Sequence, residues 1–157
     1  MAWVQLRPYQ APEFEASCRI REIEGQERRD RWRKRFDASG DWDDHYLHLA
    51  IAIDGVLVGD LQLRHCSQSM PDGVLEIGLE LDPAQQGIGI GTAVLQAASQ
   101  KFFEDGWHRI SGSTDIKNIA MKRAFEKAGW KLEGIMRGLF NEDGVLHDYA
   151  SYAVIKV

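Results

Sequence analysis

Apolar and polar positions along the chain sort into short segments of two periods. Positions 3–7 alternate apolar and polar, as a short strand does. Between 12 and 36 the apolar residues Phe14, Ile20, Ile23, Trp32 and Phe36 are spaced among Glu and Arg, which predicts one or two amphipathic helices broken near Gly25. Positions 38–44, with Gly40 and several acids, form a loop. Two apolar runs, 46–53 and 56–63, flank Asp54-Gly55, the dipeptide of a type I′ hairpin. A third strand, 74–81, follows Pro71-Asp72-Gly73 and stops before Pro83, which cannot donate to a ladder. A helix is expected over 92–103, a strand over 107–113, and a helix over 118–128 closed by Gly129 as a left-handed cap. Strands 130–140 and 145–157 flank 141–144. The order β-α-α-β-β-β-α-β-α-β-β predicts an α/β (α+β) fold, a mixed sheet with helices packed on it.

Composition narrows the class without naming an activity. The 157 residues suit one domain, 1–157, and 44 % hydrophobic with 27 % charged residues is ordinary globular composition. No apolar run approaches the roughly 18 residues of a membrane span. The first nine residues lack the basic and apolar regions of a secretion signal. Cys18 and Cys66 have no metal-ligand spacing, so free thiols in a reducing cytoplasm are expected. A formal net charge of −5 argues against nucleic acid as a general partner and suits a cationic substrate. His45 and His48 are near neighbours, but no coherent set of further metal ligands accompanies them.

The segment Gln86-Gly87-Ile88-Gly89-Ile90-Gly91, between a strand and a helix, has chemical use. Glycines let the backbone approach a ligand closely and take otherwise strained dihedrals. Successive amides, with the free N–H groups of a first helical turn and the Thr92 hydroxyl, can hold phosphate oxygens. The spacing is not G-x-G-x-x-G, because Thr92 or Val94 falls on the last position, and no Gly-Lys-Ser/Thr is present. A strand–helix turn without any ligand remains open from the loop alone.

A second block changes that. Gln86-x-x-Gly89-x-Gly91, followed by Asn118-Ile119-Ala120-Met121-Lys122-Arg123-Ala124-Phe125-Glu126-Lys127-Ala128-Gly129-Trp130, resembles the two signature motifs of the GCN5-related N-acetyltransferase (GNAT) family. The resemblance implies a mixed, mostly antiparallel sheet of six to seven strands, helices on both faces and splayed central strands. It implies acetyl-CoA as acyl donor, with the pyrophosphate on the amides from Gln86 through Gly87, Ile88, Gly89, Ile90 and Gly91, aided by Thr92. It places pantetheine against the backbone of Leu79 to Leu81 and against Asn118, whose other reading is a helix N-cap. A metal is not required. Relatives are often homodimers, and a homodimer is one arrangement open to this chain.

The implied chemistry is attack of a neutral amine on a thioester, in a ternary complex. Amines with a pKa near 10.4 must first lose a proton to a base. Glu76 and Glu80 share one face of the strand 74–81, opposite Leu75, Ile77, Leu79 and Leu81, and are the candidate bases. Glu76 is equally readable as the partner of Arg64 on a solvated face. An N–H near Leu81 is the expected oxyanion donor. Where many members carry a tyrosine that protonates the leaving thiolate, this chain has Phe125, expected to pack against the coenzyme arm or the core. Tyr149, Tyr152 or a water are the substitutes.

The segment from Glu133 to Arg137, with Asn141 to Gly144 and His147-Asp148-Tyr149, resembles the branch that acetylates ribosomal-protein N-termini and small amines. Arg137, His147 and Asp148 are also readable as hairpin ion pairs. The family's acceptor region falls on Trp32, Trp42, His45 and Tyr46 with Asp37, Asp41, Asp43 and Asp44, which suits a cationic amine or is a solvated loop. The run Arg28 to Arg35 is an RNA contact or a solvated helix face paired with Glu24, Glu27 and Asp37. An aminoglycoside-type acetyltransferase and a non-catalytic acyl-CoA-binding module are the competing functions.

Overall fold

The computed structural model describes residues 3–157. Seven strands form one sheet: β1 (Gln5–Arg7), β2 (Tyr46–Ile53), β3 (Val56–Arg64), β4 (Val74–Leu81), β5 (Arg109–Asp115), β6 (Lys131–Glu142) and β7 (Val145–Ile155), in spatial order β1-β2-β3-β4-β5-β7-β6. The helices are α1 (Phe14–Ile20), α2 (Gln26–Asp37), α3 (Ile90–Glu104) and α4 (Ile119–Lys127). None is long and apolar enough to cross a membrane.

Local chemistry explains the main boundaries. Asp54 and Gly55 both have positive φ, +50° and +78°, as a type I′ turn requires. Asp143 and Gly144 repeat this at +51° and +84°, so β6 runs to Glu142, two residues past the expected end. Gly25, at φ +83°, separates α1 from α2. Gly89, left-handed at φ +86°, is the N-cap of α3, and the helix therefore starts at Ile90 rather than Thr92.

One sheet face carries Leu49, Ile51, Leu61, Leu63, Leu75 and Ile77 into a core with Ile90, Val94, Leu95 and Phe102 of α3 and Phe125 of α4. A second apolar cluster, Phe14, Cys18, Trp32 and Phe36, belongs to α1 and α2 on the other side. The sheet is antiparallel except at its centre. There β4 and β5 pair in parallel only from Val74↔Arg109 to Ile77↔Gly112. Beyond that point β4 stays with β3 as far as Leu81↔Gly59, while β5 stays with β7 as far as Asp115↔Tyr149. The two central strands diverge, and the edge of β4 from Gly78 to Leu81 that faces β5 has no strand partner.

Candidate active site

A cavity of about 850 Å³ occupies this fork, within the size range of ligand sites. Leu79, Glu80 and Leu81 of β4 form one wall, Gln86, Gly87, Gly89, Gly91 and Thr92 the mouth, and Asn118 and Phe125 the α4 side. Arg123 and Lys127, two cations of α4, also border it, as do Arg19, Ile20 and Glu22 at the end of α1. Lys127 lies within the Asn118 to Trp130 motif, whereas no motif marks Arg19, Ile20 and Glu22, because only the fold brings the end of α1 to the fork.

The glycine loop is built for close approach of a ligand. Gly87 and Gly89 have φ of +78° and +86°, and no atom lies within 4 Å of where a Cβ on either would stand. Their backbone is thus both strained for other residues and open to solvent, and α3 presents its unpaired first amides beside them. Gln86 Nε2 donates back to the Leu81 carbonyl at 3.3 Å, tying the loop to the end of β4. Gly91 lies inside the first turn of α3, where a Cβ would stand in ordinary contact, 3.6 Å, with that of Ala124 on α4. Two loop side chains point away from a ligand role: Ile90 is buried in the core, and Ile88 is exposed without bordering the cavity. Only their backbone remains available for phosphate.

Asn118 is the N-cap of α4 and also borders the cavity. Its Oδ1 accepts from the Met121 N–H at 3.1 Å, leaving its NH₂ for the cavity side. Phe125 sits at the crotch of the fork, buried, stacked on Tyr152 with ring centroids 4.7 Å apart and 5° between planes. Tyr152 is sealed in the core, whereas Tyr149 borders the cavity, so of the two tyrosines only Tyr149 can reach a leaving group there. Burial, with Asp115 and Glu142 nearby, raises the pKa of the Tyr149 phenol.

The two candidate bases have separated. Glu76 stands opposite Arg64 in the β3–β4 register and pairs with its guanidinium, outside the cavity. That is the solvated-face reading, and it removes Glu76 from reach of a thioester in the fork. Glu80 borders the cavity. Its side chain opens on this concave space, yet the protein mass around the concavity desolvates it and raises its pKa above the usual carboxylate value. Arg21 opposes the rise, and Asp60 and Glu22 add to it. A cavity-facing carboxylate with raised proton affinity can take a proton from an ammonium.

The expected acceptor region needs correcting. Tyr46 pairs with Arg64, and Arg64 with Glu76, so the start of β2 lies at the end of the sheet opposite the glycine loop. Trp42 packs on Trp107, His45 approaches Cys66, Tyr46 lies under Arg35, and Trp32 is buried. None borders the cavity. Asp37 pairs with Arg33, Glu27 with Arg31 and Glu15 with Arg29, as on a solvated helix face, while Glu24, also expected as a partner, makes no ion pair among the described residues. His147 lies between Asp115 and Glu142, and Asp148 accepts from the Gly138 N–H, so both serve the β6–β7 hairpin. Among the described residues no group of three His, Cys, Asp or Glu is placed to hold a metal.

Comparison with known proteins identifies the family and the fold. Residues 4–131 match the acetyltransferase (GNAT) domain family. YjcK, a probable N-acetyltransferase of Bacillus subtilis (strain 168), is 30 % identical over 138 residues, 85 % of this chain and 72 % of that protein. Among solved structures, RimL, a ribosomal alpha-N-protein acetyltransferase in complex with coenzyme A, superposes with a TM-score of 0.80 at 20 % identity, covering 97 % of this chain and 93 % of that one. RimJ of Mycobacterium smegmatis, in complex with CoA-disulfide, superposes at 0.75 with 22 % identity, covering 97 % and 81 %.

Proposed function

The chain belongs to the GNAT family of acetyl-CoA-dependent N-acetyltransferases, and from that premise we propose that it acetylates a primary amine, a protein N-terminus or a small amine, in the fork between β4 and β5, with Glu80 as general base. The observation that carries this reading is the pairing of an open, strained glycine loop with Glu80, the cavity-bordering carboxylate of the splayed strand.

The residues present fit the donor. Phosphates suit the amides of Gly87 and Gly89 with the first turn of α3, and Arg123 and Lys127 supply positive charge at the same rim. The partnerless edge of β4 from Gly78 to Leu81 offers backbone groups to the pantetheine amides, and the Asn118 NH₂ joins them. Bound acetyl-CoA supplies a thioester whose acyl group passes to the amine nitrogen as the C–S bond breaks. Glu80 accepts the ammonium proton directly or through a water. An N–H on the free edge near Leu81 stabilises negative charge on the carbonyl oxygen. Tyr149, the tyrosine on the cavity, gives a proton to the thiolate in place of the missing hydroxyl at Phe125. With a thiol pKa of about 8.5 that step is not demanding. The second proton that the nitrogen loses as the amide forms restores the phenol.

RimL's description as an alpha-N-protein acetyltransferase favours an α-amine acceptor, as does the acidic border formed by Glu22 and Glu80. The test is thiol release from acetyl-CoA with a panel of free-N-terminus peptides, polyamines and an aminoglycoside, with products weighed by mass spectrometry. Release with the peptides or the simple amines supports the proposal, and release with the aminoglycoside alone replaces the acceptor class. Coenzyme A binding without release on any amine would make the chain a silent binding module.

A further inference from the structure

Beneath Glu80 the sheet buries a charged cluster that the chemistry above does not use. Asp60, 2 % exposed, is the register partner of Glu80 across β3 and β4. Its Oδ2 accepts from Arg21 Nη1 at 2.8 Å, and its Oδ1 accepts from the Tyr9 hydroxyl. His48, 3 % exposed on β2, places Nδ1 3.2 Å from Arg21 Nη1 and 3.4 Å from the same Asp60 oxygen. Arg21 lies over the Trp32 ring at 4.3 Å, and Trp32 is itself pinned by its Nε1 donating to Ser17 Oγ at 2.8 Å. Three side chains, Tyr9, Arg21 and His48, thus converge on one carboxylate.

Stability alone does not account for this. Each buried ion costs several kcal/mol of solvation, and apolar replacements of similar volume are often as stable or more so. The cluster is also imperfectly satisfied, since Arg21 Nε and His48 Nε2 are buried without a partner. What it does accomplish is electrostatic. Side chains directly opposite across an antiparallel pair stand with Cβ atoms roughly 5 Å apart, so Asp60 and its partner Arg21 act on Glu80 at short range, from the side of it that protein fills.

We propose that Asp60 and Arg21 form a buried charge pair that orients and biases the Glu80 carboxylate as proton acceptor for the incoming amine, which makes both of them positioning residues of the transfer reaction. This rests on the reading of Glu80 as the base. Asp60 makes proton uptake by Glu80 easier, and Arg21 offsets that so the carboxylate stays ionised before the amine arrives. The other charges facing Glu80 are Glu22 and Arg19 at the end of α1 and, across the cavity, Arg123 and Lys127 of α4, with the Tyr149 phenol on β7. None of these is part of the buried pair, so changing the pair isolates its effect.

The test is a ¹³C NMR titration of the Glu80 carboxyl in the full chain, assigned through Glu80→Gln, for the parent, Asp60→Asn and Asp60→Asn/Arg21→Met. Asp60→Asn leaves Arg21 unopposed, and the midpoint should fall by about one pH unit. The double variant should bring it back toward the parent value, which general loosening of the structure would not do. An unchanged midpoint in a folded Asp60→Asn overturns the proposal. Should that variant fail to fold, Arg21→Met decides: a raised midpoint supports the pair, and an unmoved one overturns it. Full turnover in Glu80→Gln would instead remove Glu80 as base, an outcome read on a different variant.

Discussion

The ring of Phe125 ends on the backbone of Gly112: a Cβ at Gly112 would stand 3.1 Å from Phe125 Cζ and 2.9 Å from Ile77 Cγ2. Ile77↔Gly112 is also the last parallel pair before β4 and β5 part. The ring therefore plugs the crotch of the fork, and the bare backbone at Gly112 is what lets it sit there.

Gly112→Ala should therefore strain the crotch from both sides. Overpacking of this kind costs about 1–3 kcal/mol. At about 2–4 °C per kcal/mol for a chain of this size, thermal unfolding should show a clear fall in midpoint. Coenzyme A affinity, measured by calorimetry, should fall with it because the plugged end of the cavity shifts. A variant as stable as the parent would mean that Ile77 and Phe125 move aside freely.

Glu80→Gln should lower kcat/KM by about 100-fold or more, the usual worth of a positioned base, while the Kd for coenzyme A stays within a factor of about 2. Glu76→Gln, which only frees Arg64, should stay near the parent in both. The parent's rate should rise with pH through the Glu80 titration, whose midpoint burial sets above the usual carboxylate value. The sign for stability is opposite. A raised carboxyl favours folding below its unfolded pKa and loses that advantage as pH rises through the folded one. Glu80→Gln should therefore unfold at a higher temperature than the parent at pH 7, with the gap closing toward pH 4.

Gly89→Val tests the loop. A β-branched residue at φ +86° is strained by backbone alone, about 1–2 kcal/mol, since no neighbour blocks its Cβ. The side chain would project into the approach to the first amides of α3. Coenzyme A affinity should drop by at least about tenfold while the chain still folds, as judged by circular dichroism and calorimetry. Retained affinity would remove the loop from the binding site.

Much of this was legible in the chain because it is local. Asp54-Gly55 encodes its hairpin in two residues, and the motif from Asn118 to Trp130 marks α4 and its left-handed stop. The errors lie where strand direction matters. Trp42, His45 and Tyr46 fall on the family's acceptor region by resemblance, but antiparallel pairing carries the start of β2 to the far end of the sheet. Glu76 and Glu80 are alike in sequence and about 13 Å apart along one strand, and long-range pairing makes their surroundings differ, with Arg64 opposite Glu76 and the fork beside Glu80. Asp60 has no local signature at all. It matters only because Tyr9, Arg21 and Glu80 arrive from distant parts of the chain.

Asn118 allows its two roles to be divided by substitution. Its Oδ1 caps α4 at the Met121 N–H, and its NH₂ is the group left for the cavity. Asn118→Asp keeps a capping oxygen, and a carboxylate at a helix N-terminus is favourable, so stability should be unchanged or slightly higher. It replaces the NH₂ donor with an acceptor and adds negative charge beside an anionic ligand, so coenzyme A affinity should fall several-fold. Asn118→Ala removes both groups, costing about 1 kcal/mol of stability as well as affinity. If Asn118→Asp binds coenzyme A as the parent does, the amide makes no ligand contact and the residue serves only as a cap. If Asn118→Ala is as stable as the parent, the cap is not what holds the start of α4.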